Sequence, residues 1–152
     1  MNENQFKNKK IIITGHTGFK GSWLTAWLTL LGAKIIGISS GIPSNPSHFK
    51  FLNLKRKIKH LIVDIRDARK LKKVFVKEKP DYVFHLAAQA IVRKSYLYPK
   101  LTFETNTIGT LNVLEAIKMI KKKCIAVLIT SDKVYKNFEI NRGYNENDIL
   151  GG

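Results

Sequence analysis

Apolar residues recur along this chain in two alternating rhythms. Short runs rich in isoleucine and valine read as buried strands, and stretches with apolar positions three and four apart read as helices. Residues 9–14 give the first strand. Residues 20–31 give a helix, with Trp23, Leu24, Trp27, Leu28 and Leu31 expected on one inner face and Gly32 closing it at C′. A second strand is expected at 33–39. A turn-rich loop over 41–47 follows, and then a short helix over 47–54. The third strand is predicted at 60–64, with Asp64 at its end, and a basic amphipathic helix at 67–77. Pro80 and Asp81 precede a fourth strand at 82–87. A loop runs to Pro99, then a long helix to about 119, with Phe103, Ile108, Leu111, Leu114 and Ile117 facing inward. The fifth strand is expected at 124–130, and the remainder is polar and turn-rich. Strands alternating with helices predict an α/β fold: a doubly wound parallel sheet, covered on both faces, with the first strand central.

The join between the first strand and first helix adds chemistry. Ile11-Ile-Ile-Thr-Gly-His-Thr-Gly-Phe-Lys-Gly-Ser-Trp places Gly15, Gly18 and Gly21 three apart, between a strand and a helix start. That context makes the glycines a dinucleotide-binding signal. Gly15 permits the sharp turn, Gly18 lets the backbone approach a pyrophosphate, and Gly21 lets the helix lie close to the sheet. The amides of the first helical turn then face phosphate at the positive end of the helix dipole.

Charge and composition narrow the picture. The 152 residues suit one domain, and 44% hydrophobic content is that of a globular chain. Basic residues outnumber acidic ones 27 to 11. They are scattered over the ends and outer faces of the predicted elements, so no specific nucleic-acid partner is implied, although polyanions will attract the chain at low salt. The lone Cys124 excludes an internal disulfide and a cysteine metal cluster, and no metal site is expected. No apolar stretch is long enough to span a membrane, and residues 1–10 are too polar for a signal peptide, so a cytoplasmic protein is expected.

Five motifs together resemble the extended short-chain dehydrogenase/reductase superfamily, the NAD-dependent sugar-nucleotide epimerases and dehydratases. They are Thr14-Gly-His-Thr-Gly-Phe-Lys-Gly, Asp64-Ile-Arg-Asp, His85-Leu-Ala-Ala-Gln, Thr105-Asn-Thr-Ile-Gly-Thr and Thr130-Ser-Asp-Lys-Val-Tyr. Gly15-His-Thr-Gly-Phe-Lys-Gly-Ser-Trp-Leu, Gln89-Ala-Ile-Val-Arg-Lys-Ser-Tyr and Ser131-Asp-Lys are most similar to the pattern of its 4,6-dehydratases, with CDP-glucose the favoured nucleotide sugar. The resemblance implies NAD as cofactor, held by Gly15, Thr17, Gly18, Phe19, Lys20 and Gly21 at the pyrophosphate. It places Asp64 and Ile65 at the adenine, and Leu86, Ala87, Ala88 and Thr105 beside the rest of the dinucleotide. His16 either lies beside the pyrophosphate or lines the turn. Asn106 is either near the cofactor or a structural amide. A homodimer through helices of this domain, including that at 99–119, fits the resemblance as well. One departure stands out: the second strand ends Ile38-Ser39-Ser40-Gly41, without the carboxylate that usually holds the ribose diol. NAD is favoured over NADP by resemblance alone, with weaker binding expected.

The same resemblance assigns catalysis. Ser131 hydrogen-bonds the sugar 4-hydroxyl, Asp132 is the acid that protonates the departing C6 hydroxyl, and Lys133 stands where many related dehydratases carry the glutamate base. An acid in that role needs a pKa raised by burial, and a lysine base needs one depressed. The alternatives are an Asp capping a turn and a solvated Lys. The Tyr-x-x-x-Lys pair that removes the 4-hydroxyl proton is not placed. Tyr96 and Lys100 have the spacing, but Pro99 disfavours helical geometry at Tyr98. Residues 1–152 are therefore expected to be the N-terminal dinucleotide-binding part of a longer enzyme, truncated after the fifth strand, without the C-terminal substrate domain and inactive alone; the alternatives are another nucleotide-sugar epimerase or dehydratase, or a non-catalytic dinucleotide-binding module.

Overall fold

A computed structural model describes residues 5–151, apart from the Asp132 side chain. Five strands form one parallel sheet: β1 (Lys10–Thr14), β2 (Lys34–Ser39), β3 (Lys59–Ile62), β4 (Tyr82–His85) and β5 (Ile125–Leu128). Their order is β3-β2-β1-β4-β5, so β1 is central, as the alternating pattern predicts. The chain runs outward on one side of β1 and resumes on the other. That leaves a crevice between the carboxyl ends of β1 and β4, where sheets of this kind bind ligands.

Strand alternation divides β1 between two cores. Ile12 packs with Val83, Leu71, Phe75, Val113 and Ala116, beneath α3 (Ala68–Glu78) and α6 (Gly109–Lys118). Ile11 and Ile13 pack with Leu28 and Ile35, beneath α1 (Phe19–Leu30). All three isoleucines are fully buried. At ~25 cal/mol per Å², such side chains each contribute about 1.5–3 kcal/mol to folding.

Two expected helix faces are corrected. On α1 the buried residues are Gly21, Ser22, Thr25 and Leu28, while Trp23 and Trp27 are about half exposed. Leu24, Leu28 and Leu31 pack on the core as expected, but the first turns of the helix lie so close to the glycine turn that only Gly21, Ser22 and Thr25 fit beneath them. The long helix is α5 (Pro99–Phe103) and α6 joined by a π-helical turn, Glu104–Ile108. The extra residue of a π turn rotates the face that follows it. Gly109, Val113 and Ala116 are therefore buried, Ile117 packs at their margin, and Phe103, Ile108, Leu111 and Leu114 face outward.

Boundaries also shift. β3 ends at Ile62, so Asp64 sits beyond the strand. β5 is shorter than the apolar run at 124–130. The expected loop before Pro99 contains a short helix, α4 (Val92–Leu97). The helix after the second strand is a single turn, α2 (His48–Phe51), with Ser47 accepting a hydrogen bond from the Lys50 amide, followed by a 3-10 turn at Leu54–Arg56. Gly32 is at C′ of α1 with φ +78°, as expected.

Candidate functional site

The glycine turn is built by close approach. Gly15 has φ +72°, and a Cβ there would stand 2.8 Å from the Ala87 amide nitrogen and the Leu86 carbonyl carbon. A Cβ on Gly21 would overlap the Gly15 carbonyl oxygen, and one on Gly18 would lie 3.3 Å from it. The Gly18 amide donates to that same carbonyl at 3.0 Å. Gly18 is the N-cap of α1, and no side chain caps the helix or places a carboxylate in its first turn. The first-turn amides of Phe19, Lys20 and Gly21 thus open at the carboxyl edge of the sheet, with the Lys20 ammonium exposed beside them. Unsatisfied amides at a helix start can accept an anion.

Thr17 ties the turn to the loop after β2, its buried hydroxyl donating to the Gly41 carbonyl at 2.6 Å. Its side chain is thereby committed. His16 does not lie beside the turn's open face. It is fully buried, edge-on to Phe49, with Nε2 2.7 Å from Nδ1 of His60. Gly37 gives it room, since a Cβ there would overlap the ring. Burial holds the His16 pKa down at about 4, and His60 is lowered by burial and by Lys55. Two neutral imidazoles then share one proton donor and one acceptor, which is a structural tie.

A second chain of hydrogen bonds fixes the other wall. Thr14 Oγ1 accepts from the Leu86 and Ala87 amides, both at 3.2 Å, so its proton goes to His85 Nδ1 at 2.7 Å. His85 then carries its proton on Nε2 and donates to Thr110 Oγ1 at 3.0 Å. Thr110 in turn donates to the Asn106 carbonyl at 2.7 Å. Burial lowers the His85 pKa, in keeping with a neutral ring. Asn106 clamps both backbone groups of Gln89, accepting from its amide at 2.7 Å and donating to its carbonyl at 3.0 Å. Its structural reading holds. Thr105, half-buried, sits in the π turn beside it. The backbone of Leu86 and Ala87 packs against Gly15 just beyond β4, and Ala88 is exposed next to them.

Asp64 is half-buried past β3 and gripped by Arg66, whose Nη2 lies 2.7 Å from its Oδ2 and whose amide donates to Oδ1 at 2.9 Å. The Arg66 side chain holds the Asp64 carboxyl below its usual range. Arg66 also reaches Glu104 at 3.7 Å, linking this corner to the π turn. Sequence reasoning passed over Arg66; the available signal was its i+2 spacing from Asp64. Helix capping falls to Asp67, which accepts from the Lys70 amide at 3.0 Å. Ile65 is buried against Gly109, where an added Cβ would meet its Cδ1 at 2.5 Å.

β2 ends at Ser39, whose buried hydroxyl has no hydrogen-bond partner among the described residues. Ser131 and Lys133 are exposed beyond β5, and the Ser131 hydroxyl accepts from the Lys133 amide at 3.1 Å, opening a 3-10 turn at Asp132–Val134. The Asp132 side chain, expected to be buried, lies outside the described residues. Tyr96 and Lys100 fall on separate helices, α4 and α5, divided at Tyr98, and do not form the missing pair. No group of three or more His, Cys, Asp or Glu that could hold a metal occurs among the described residues, and no helix there is long and apolar enough to cross a membrane.

A parallel sheet centred on β1 with a glycine turn at its carboxyl edge defines a Rossmann-type domain. The family model described as GDP-mannose 4,6 dehydratase matches residues 12–150, and the chain belongs to that family. It is 44% identical over 152 residues to CDP-glucose 4,6-dehydratase of Salmonella typhimurium, covering all of this chain and 42% of that protein. It is 31% identical over 118 residues to a GDP-mannose 4,6-dehydratase of Vibrio cholerae, covering 74% of this chain and 32% of that protein. Among solved structures, Thermus thermophilus UDP-glucose 4-epimerase in complex with NAD superposes with TM-score 0.79 at 26% identity, over 93% of this chain and 44% of that one. The chain thus spans less than half the length of these relatives.

Proposed function

We propose that this chain is the dinucleotide-binding part of a nucleotide-sugar 4,6-dehydratase, with NAD as its cofactor and CDP-glucose as its substrate. The uncapped amino terminus of α1, opening beyond three closely packed glycines of which Gly15 and Gly21 admit no side chain, carries this reading. In it, the amides of Phe19, Lys20 and Gly21 hold the pyrophosphate across Gly18. Asp64 and the Ile65 amide hold the adenine, and Leu86, Ala87, Ala88 and Thr105 line the path to the nicotinamide. The unpartnered Ser39 hydroxyl stands in for the missing carboxylate at the ribose. The similarity to the Salmonella CDP-glucose enzyme and the superposition on an NAD-bound epimerase support these choices.

Bound NAD supplies a reversible hydride acceptor. The chain's own residues do the rest: the Ser131 hydroxyl orients the sugar 4-hydroxyl, Asp132 delivers a proton to the departing C6 hydroxyl, and Lys133 takes the C5 proton. The Tyr–Lys pair and a substrate lobe belong to the part of such an enzyme that this chain does not span. A second copy of the chain is accommodated by the outward residues of the 99–118 helix, Phe103, Ile108, Leu111 and Leu114, and sedimentation of the chain tests this as monomer or dimer.

A chimera joining this segment to the remaining length of the Salmonella relative tests the function. It is expected to convert CDP-glucose to a 4-keto-6-deoxy sugar, read as the product's alkaline absorbance, and to lose turnover on Ser131→Ala. A chimera that binds NAD yet leaves CDP-glucose untouched would contradict the substrate assignment.

A further inference from the structure

The sheet's amino edge, opposite the glycine turn, gathers positive charge. β1, β2 and β3 each begin with a lysine: Lys10, Lys34 and Lys59. Parallel register sets Lys10 directly beside Lys34, and Lys59 beside Ile36 on the far side of β2. Arg56 and Lys57 approach from the 3-10 turn before β3. Together with Glu78, at the end of α3, these residues rim an open cleft of about 450 Å³, with Ala33, Ile35 and Ile58 in its lining.

The carboxylate in the cleft lining is already engaged, as is Asp81 beside it, which accepts from the Lys10 amide at 2.8 Å and pairs with Lys122 at 2.8 Å. Glu78 is nearly buried and accepts from Lys59 Nζ at 2.6 Å, and Lys10 Nζ donates to its main-chain carbonyl at 3.2 Å. Among the described residues, Lys34, Arg56 and Lys57 have no ion pair on their side chains. Like charges on neighbouring strands repel one another, and a concave surface with apolar walls concentrates their field. A multiply charged anion relieves that repulsion. The cleft is within the size range of small-molecule sites. Being bounded by the end of α3 and the turn before β3, it suits a compact anion better than a long polymer.

We propose that this cleft is a second binding site, separate from the dinucleotide crevice, for a polyphosphate chain. The lysines supply point charges, Arg56 supplies a planar fork for two phosphate oxygens, and the part-exposed Ala33 and Ile58 offer apolar contact to a base when the phosphates belong to a nucleoside triphosphate. Inorganic polyphosphate and a nucleotide tail share the recognised chemistry.

The test is a titration of the 152-residue chain with inorganic tripolyphosphate, and in parallel with a nucleoside triphosphate, followed by backbone amide shifts. The proposal expects saturable shifts centred on Ala33, Lys34, Lys57 and Lys59, weakening with added salt. Tighter binding of the nucleotide assigns the aliphatic lining to the base; equal binding assigns recognition to the phosphates alone; both support the site. Lys34→Gln with Arg56→Gln should weaken binding ~tenfold or more, while Lys72→Gln with Lys73→Gln on α3 removes the same charge and should change it less than about twofold. Shifts centred on residues 15–21, shifts spread evenly over all lysines, or equal losses in both double variants would overturn the proposal.

Discussion

Replacing Gly21 by alanine probes the contact on which the site is built. The new Cβ would overlap the Gly15 carbonyl oxygen and lie 2.8 Å from the Gly15 carbonyl carbon and from His16 Cα. All three are main-chain atoms, so no side chain can swing aside. Overpacking of this kind costs ~1–3 kcal/mol, and the lack of a flexible neighbour puts this site at the upper end. Alanine's better helix propensity returns at most ~1 kcal/mol, leaving a net loss of about 1–2 kcal/mol. For a chain of this size that is a fall in Tm of ~2–8 °C. Because α1 must move away from the turn, NAD affinity should fall together with stability. Gly41 is the reference: nothing lies within 4 Å of its added Cβ, so Gly41→Ala should stay within about 0.5 kcal/mol of the parent. Thermal melts of both variants, with NAD titrations by calorimetry, decide the matter. A Gly21→Ala protein that melts with the parent and binds NAD equally well would refute the close-contact account.

Two further outcomes follow from the buried polar ties. His16, held at about pKa 4, and His85, also lowered by burial, bind fewer protons folded than unfolded. Their folded pKa values lie below the unfolded ~6.5, so stability present above pH ~6.5 is lost as pH falls toward 4. For His16 alone the loss is about 3 kcal/mol; urea midpoints that match at pH 7 and pH 5 would contradict it. Arg66→Gln should let the Asp64 pKa rise toward the ordinary carboxylate value, seen by carbon NMR of the carboxyl. An unchanged Asp64 titration would mean that Arg66 does not hold it.

Much of this architecture is written in local pattern. The isoleucine run of β1, the glycines after it and Gly32 at C′ of α1 act over a few residues, and each is found where periodicity and turn chemistry place it. What escaped depends on tertiary contact. Trp23 and Trp27 carry the strongest apolar signal of α1, yet the turn excludes bulk and admits Ser22 and Thr25 instead. The single extra residue of the π turn leaves no mark in composition, but it moves Val113 inward and Leu111 outward. His16 found its partner, His60, across 44 residues, a pairing no spacing rule contains. Arg66 was hidden for a different reason: its partner is adjacent, but a charged residue after a strand ordinarily reads as solvated.

The central claim is that main-chain amides at the start of α1 grip the diphosphate of a dinucleotide. A crystal structure of the chain grown with NAD tests it directly. The account predicts both phosphates within hydrogen-bond reach of the Phe19 and Lys20 amides and the adenine against Asp64. A dinucleotide found at the amino edge of the sheet, or a glycine turn left empty at saturating NAD, would contradict it.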